Sequence, residues 1–326
     1  MSIWHRALDR SVVFSFDRHG FKRHARQFAD NIEGRDLSAK NIMVTGCNSG
    51  IGFASVEALS AQGAMVYMAC RSRERGQAAI DLIKTKNPRA RLQLLEVDMA
   101  DFRSISSVAQ KVDRPLHGLV HNAGNMVDAC RYTDQDIEYI TSLHVAGPFC
   151  LSLLLTERLK QGADESSSRI IFVASGGMYT QGLDASELFR PTGRYDGMRH
   201  YAHTKRAQVV LAAQLHERLT AMGIGVHSMH PGWVDTPAIR RAMPKFTFFT
   251  KGILRTPEQG ADTITWLAGH DDPSIDLESG FWFDRGRAAL FMSKKVSVPA
   301  KEVQAMMTRL DGLAHNAGFS PEHLVN

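Results

Sequence analysis

No apolar run in this chain of 326 residues approaches the roughly 20 residues that span a bilayer. The N-terminus does not read as a signal peptide either, because charges interrupt it throughout. Cysteine is scarce. Cys47, Cys70, Cys130 and Cys150 are scattered through apolar segments without zinc-ligand spacing. They point to reduced, buried thiols in a cytosol-like compartment, and no metal site is expected. Repeats and low-complexity tracts are absent, which excludes a solenoid or a disordered linker protein. Charge of one sign is lacking as well: 39 Lys and Arg against 34 Asp and Glu leave a formal charge of +5. That excess speaks for a slightly basic soluble protein. No basic stripe with interleaved aromatics supports nucleic-acid binding outside the N-terminal stretch.

What is present is an ordinary globular composition, 44% hydrophobic and 22% charged, on a chain long enough to bury a full core. From residue 40 onward strands and helices alternate, the pattern of a parallel sheet covered on both faces. Strands are expected over 41–45, 64–69, 92–97, 116–121, 170–174, 224–230 and 281–283. Helices are expected over 51–62, after the second strand up to Pro88, and over 102–112, 134–160, 199–222 and 257–268. The segment after Pro231-Gly232, with Phe246, Phe248 and Phe249, reads as a loop. Those rings either cap an apolar substrate or anchor the loop to the core. The fold class is α/β, a Rossmann-like doubly wound parallel sheet of seven strands. It forms a single domain over 39–290, with helical extensions at 1–38 and 291–326.

Residues 1–26 mix Trp4, Leu8, Val12, Val13, Phe14, Phe16 and Phe21 with six basic and two acidic residues. Such a stretch suits either a helix packed across the domain or one lying at a membrane surface. The expected location is cytoplasmic, with peripheral membrane contact through 1–26 left open.

Between the first strand and first helix lies Thr45-Gly46-Cys47-Asn48-Ser49-Gly50-Ile51-Gly52. Glycines there let the backbone turn tightly and approach a pyrophosphate, which rests on the free N–H groups of the helix N-terminus. The spacing is Gly-x3-Gly-x-Gly rather than Gly-x-Gly-x2-Gly. The second strand ends in Cys70-Arg71-Ser72-Arg73, with no acid at its tip to hold two ribose hydroxyls. Arg71 suits a 2′-phosphate instead, so NADP(H) is the expected cofactor. Asp98 and Met99 follow the third strand, where Asp98 is placed to meet the adenine. Asn122-Ala123-Gly124 ends the fourth strand, and Pro231-Gly232 follows the sixth.

Tyr201 and Lys205 are four apart and share one helix face. An ammonium beside a phenol is expected to lower the phenol pKa toward use as a proton carrier. Together the Gly-rich turn, Asn122-Ala123-Gly124, Ser175, the Tyr201/Lys205 pair and Pro231-Gly232 resemble the short-chain dehydrogenase/reductase superfamily. The resemblance covers roughly residues 40–285. Ser175-Gly176-Gly177-Met178 and the run from Ser228 through Met243 are similar to one narrower subgroup within it.

This resemblance implies that Tyr201 is the general acid in reduction and that Ser175 hydrogen-bonds the substrate carbonyl. Lys205 would lower the Tyr201 pKa and bind the nicotinamide ribose. It also implies cofactor contacts from Gly46, Asn48, Ser49, Gly50, Ile51, Gly52, Arg71, Asp98, Met99, Asn122, Ala123, Gly124, Pro231 and Gly232. Relatives carry an Asn in the helix after the fourth strand, whose carbonyl holds a water joined to the lysine. His144 stands there in this chain. Pro148, four residues on, has no N–H for the His144 carbonyl, so the expectation is a kink that leaves this carbonyl free for the water.

His200 and His203 point to other faces and read as packed or solvated rather than metal-binding. The expected activity is alcohol/carbonyl interconversion on a small lipophilic substrate, with a homo-oligomer possible through the long helices. Two rivals remain. One is an NADPH-binding regulatory protein with weak or no catalysis, and the other a nucleotide-sugar epimerase or dehydratase. The latter usually has Gly-x2-Gly-x2-Gly and a fuller C-terminal domain, which this chain lacks.

Overall fold

The structure is a computed structural model and describes residues 15–29, 31–32 and 34–319. Most of the expected signal from residues 1–26 therefore lies outside the described residues. The first described element is helix α1 (Arg18–Ala25), capped by Asp17, whose carboxylate accepts from Gly20 N at 2.7 Å. The sheet then begins with β1 (Asn41–Thr45) and β2 (Met65–Cys70), joined by α2 (Gly50–Ala61). Next come α3 (Arg73–Lys86), β3 (Arg91–Glu96), α4 (Phe102–Ala109) and β4 (Gly118–His121). Strands β1, β2 and β4 are apolar along almost their whole length and buried on both faces, as central parallel strands must be.

The helix expected over 134–160 is instead a bent pair, α5 (Tyr139–Leu154) and α6 (Thr156–Glu165), meeting at 61°. Inside α5, Ser142–Ala146 widens to a π turn. Pro148 supplies the reason, since it has no N–H to close an α-helical bond, and the backbone accommodates it by widening. Gly147 lets α5 pass close to the β3–α4 connection; a Cβ there would lie 1.9 Å from the Met99 carbonyl oxygen.

Strand β5 (Ser168–Val173) leads to a 3-10 turn at Gly176–Thr180, then α7 (Ala185–Phe189) and the 23-residue α8 (Gly197–Leu219). Strand β6 (Ile224–Met229) follows. The segment expected as a loop holds two short helices, α9 (Pro237–Ala242) and α10 (Pro244–Phe249). Each has proline at its first position, where the missing N–H costs nothing and the fixed φ favours helix. After α11 (Pro257–Gly269) come β7 (Phe281–Phe283), β8 (Gly286–Arg287) and α12 (Ala300–Asn316).

The sheet order is β3-β2-β1-β4-β5-β6-β7-β8, parallel throughout except for β7 against β8. This is the Rossmann-like doubly wound fold, with one strand more than expected. Asp284 and Arg285 turn the chain back with φ of 47° and 59°. Left-handed residues at both central positions make the tight hairpin turn, but Asp-Arg is not its usual Asn-Gly signal. Salt bridges hold the pair there: Arg255 with Asp284, and Arg285 with Asp262.

Helices α2, α3 and α11 cover one face of the sheet and bury Val56, Leu59, Ile80, Ile83, Ile264 and Leu267. The other face is covered by α4, α5, α6 and α8, and α12 adds Met306, Met307, Leu310 and Leu313 to the same core. The N-terminal strap is seated too. Phe16 is buried against His230 and Phe283, and the Arg255 guanidinium donates to the carbonyls of Ser15 and Phe16. Among the described residues no single helix is long and apolar enough to cross a membrane.

Candidate active site

A cleft of about 710 Å³ opens along the carboxyl ends of the strands, where doubly wound sheets place their ligands. Every residue expected to bind cofactor lines it: Gly46, Asn48, Ser49, Gly50, Ile51, Gly52, Arg71, Asp98, Met99, Asn122, Ala123, Gly124, Tyr201, Lys205, Pro231 and Gly232 are all found there.

The sharp turn after β1 depends on Gly46. Its φ is +66°, and a Cβ would lie 2.6 Å from the Ala123 Cα. Asn122 clamps this turn to β4, its amide donating to the carbonyls of Thr45 and Gly46, both at 3.0 Å. Thr45 Oγ1 accepts from the N–H groups of Asn122 and Ala123. The result is a fixed backbone cradle at the start of α2. Ser49, the N-cap, makes no side-chain capping bond, so the first N–H groups of α2 face the cleft without an internal acceptor. A dinucleotide pyrophosphate fits such a cradle.

At the far end Arg71 donates to the Tyr139 hydroxyl at 2.9 Å, and Arg75 lines the cleft beside it. Arg75 went unnoticed in the sequence. It is the third residue of α3, and the cluster Arg71, Arg73 and Arg75 around the helix start is the signal that could have revealed it. Asp98 accepts from Ala100 N at 2.9 Å and faces the same end.

The catalytic end is built differently. Ser175 follows β5 and Tyr201 rises from the first turns of α8, and both line the cleft. Burial raises the Tyr201 pKa, and the neighbouring Ser175 hydroxyl only partly counters it. The expected lowering by Lys205 is therefore absent. The reason is geometric: Lys205 Nζ sits 5.5 Å from the Tyr201 ring centroid and donates to Val173 O and Gln208 Oε1, both at 2.9 Å. Having only neutral acceptors in a dry site, Lys205 is pushed down to about 7 by burial.

His144 is fully buried on the π turn, edge-on to the Tyr201 ring. Its Nε2 accepts from Asn125 N at 3.1 Å, so Nδ1 carries the proton and donates to Thr204 Oγ1 at 2.8 Å. Thr204 Oγ1 in turn donates a hydrogen bond to the Tyr201 carbonyl at 2.8 Å. Burial, with Lys205 nearby, drives the His144 pKa well below its usual value and keeps the ring neutral. Its carbonyl has no partner at Pro148, as expected, but it accepts from Gln208 Nε2 at 2.8 Å.

His200 and His203 are packed. His200 bonds Glu138 and Thr141, and His203 accepts from Asp184 N. Among the described residues no group of three or more His, Cys, Asp or Glu is arranged to hold a metal. The three phenylalanines after Pro231-Gly232 divide: Phe246 lines the cleft against Trp233, whereas Phe248 and Phe249 are exposed. All four cysteines are free, and Cys130 alone is not buried.

The family profile of short chain dehydrogenase matches residues 40–245. Dehydrogenase/reductase SDR family member 12 from Homo sapiens is 32% identical over 308 residues, covering 91% of this chain and 95% of that protein. Retinol dehydrogenase 11 from Homo sapiens is 32% identical over 241 residues, covering 70% and 72%. Among solved structures, L-sorbose reductase from Gluconobacter frateurii, complexed with NADPH and L-sorbose, aligns with a TM-score of 0.61 at 21% identity. That alignment covers 79% of this chain and 98% of the other, and at such identity the likeness speaks to the fold. Profile, relatives and site geometry agree, and the chain belongs to the short-chain dehydrogenase/reductase family.

Proposed function

We propose that this protein is an NADP(H)-dependent oxidoreductase that interconverts an alcohol and a carbonyl on a small lipophilic substrate. The observation that carries this reading is one continuous cleft. It has the backbone cradle and two arginines at one end, and Ser175, Tyr201 and Lys205 at the other. Arg71 and Arg75 suit the 2′-phosphate of NADP(H) rather than the free hydroxyls of NAD. The substrate end is walled by Met126, Leu143, Met198, Trp233, Met243 and Phe246, which favours a sterol, retinoid-like or aliphatic ketone or aldehyde.

NADPH, when bound, supplies the hydride. Ser175 then donates a hydrogen bond to the substrate carbonyl oxygen, and Tyr201 hands that oxygen its phenolic proton. Burial that raises the Tyr201 pKa keeps the phenol protonated at neutral pH, which suits a general acid in the reducing direction. Lys205, held by Val173 and Gln208, keeps a third N–H donor with which it would hold the nicotinamide ribose.

The similarity to SDR family member 12 over nearly the whole chain supports placing the protein in that subgroup. We also place it in the cytoplasm. The exposed Lys22 and Arg26 at the end of α1 support peripheral membrane contact through residues 1–26.

NADPH oxidation with a panel of apolar aldehydes and ketones, wild type beside Tyr201→Phe, tests the reading. Turnover that disappears with the hydroxyl supports a reductase. NADPH binding with no turnover in either protein sinks it and points to a regulatory, cofactor-sensing role.

A further inference from the structure

Three buried polar groups behind the catalytic tyrosine have to satisfy one another. The His144 carbonyl has lost its α-helical donor to Pro148. Lys205 is 3% exposed and has no carboxylate partner among the described residues. Gln208, fully buried, stands three residues after Lys205 on the same face of α8 and reaches both. The direction of its amide is forced. A lysine only donates and a carbonyl only accepts, so the Gln208 oxygen must face Lys205 and its nitrogen must face His144.

We propose that Gln208 is the positioning residue for Lys205, its amide linking the Lys205 amine to the His144 carbonyl. A bound water can pass a proton in either direction. The Gln208 amide cannot, because its N–H is spent on a carbonyl and is not acidic at neutral pH. Gln208 therefore fixes Lys205 in place while closing the route from Lys205 into the π turn. Protons reach the Tyr201/Lys205 pair from the cleft side alone.

The groups facing Lys205 leave Gln208 as the controlling neighbour. On its own helix there is Tyr201, which burial keeps protonated. Across from it His144 has both ring nitrogens engaged, and beyond it His200 and Glu138 are bonded to each other, to Thr141 and to Tyr195. Gly124, between His144 and Lys205, adds no side chain. The polar link also explains why α8 is seated on the π turn without an Asn: Thr204 bonds the His144 ring and Gln208 bonds its carbonyl.

The inference takes the role of Lys205 from the proposed reductase activity, but its test is read without turnover. Lys205 is titrated by NMR in cofactor-free protein carrying isotope-labelled lysine, with Lys205→Met used only to assign the signal. Wild type is compared with Gln208→Glu and Gln208→Leu. A carboxylate at this distance raises the Lys205 midpoint by about 1–3 pH units, whereas leucine removes an acceptor of the charged form and lowers it. The two variants should thus move the midpoint in opposite directions. In the presence of NADPH and a substrate, the pH limb of kcat should follow each shift.

A midpoint that stays at the wild-type value in folded Gln208→Glu overturns the proposal and leaves Gln208 a packing residue. Should the leucine variant fail to fold, the near-isosteric glutamate variant decides alone. Absence of turnover in wild type would count against the reductase reading and leave the titration result standing.

Discussion

The two ends of the cleft are built from different materials. The cofactor end is backbone: a left-handed Gly46, an amide clamp from Asn122 and the open N-terminus of α2, with exposed arginines at the rim. The catalytic end is a dry network of side chains in which Tyr201, Lys205 and His144 are all held away from their usual pKa. Backbone geometry tolerates any side chain that does not need the space, whereas a buried polar network fails when one member is left unpaired. Changes at the first end should therefore alter affinity and cofactor choice. Changes at the second should alter proton transfer and stability.

Tyr201→Phe is the sharpest test of that division. It should lower kcat by about 10²–10⁴-fold while NADPH affinity, measured by nicotinamide fluorescence, stays near wild type. Equal losses in both would mean that the two ends are not separable. Arg255→Met comes next. Arg255 and Asp284 are both buried and bonded, and the same guanidinium holds the N-terminal strap behind Ser175 and Pro231. Removing it leaves the buried Asp284 with only His24 as ion-pair partner and the strap carbonyls without their donor, so denaturant unfolding should show a loss of about 3–5 kcal/mol. A loss of a few tenths would mean the strap contributes little to the catalytic end.

At the cofactor end, Gly46→Val places a branched side chain at positive φ against the Ala123 backbone. The strain is about 1–3 kcal/mol, and NADPH affinity should fall with it. Melting temperature and Kd checked together would show whether the cradle adapts. Arg71→Glu should cost about 1.5–3 kcal/mol of NADPH binding and shift preference toward NADH. Unchanged selectivity would move the phosphate contact to Arg75.

Stability should also depend on pH. Burial lowers Lys205 to about 7 from its unfolded value, so between about 7 and about 10.4 the unfolded chain binds more protons. Stability should therefore rise with pH across that window, and Lys205→Met should flatten the rise. His121 and His230 are both held to about 3 by burial. Below about 6.5 the unfolded chain takes up their protons first, and stability should fall as pH drops. A melting profile level from pH 4 to 10 would contradict both.

Much of the cofactor end was legible in the chain. Strand runs, the glycine turn, Asn122-Ala123-Gly124 and Arg71 announce themselves because a backbone cradle needs residue types that do little else. Those strands lie within a residue or two of expectation, because a two-face-buried strand leaves an unbroken apolar run. Helices α9 and α10 were hidden by prolines that start helices as readily as they stop them. Strand β8 was hidden by a turn held through distant ion pairs rather than by local turn chemistry.

The sequence by itself determined that a Rossmann-like sheet would carry Ser175, Tyr201 and Lys205 to one edge, since strand order and helix periodicity are local properties. Tertiary structure alone decided the protonation of those groups. Desolvation and hydrogen bonding depend on what packs around a side chain, and here that is Val173, Gln208 and the π turn at His144, brought to Lys205 from three separate elements. The helix pattern showed that Tyr201 and Lys205 share a face. Only packing showed that the lysine turns from the tyrosine toward an amide.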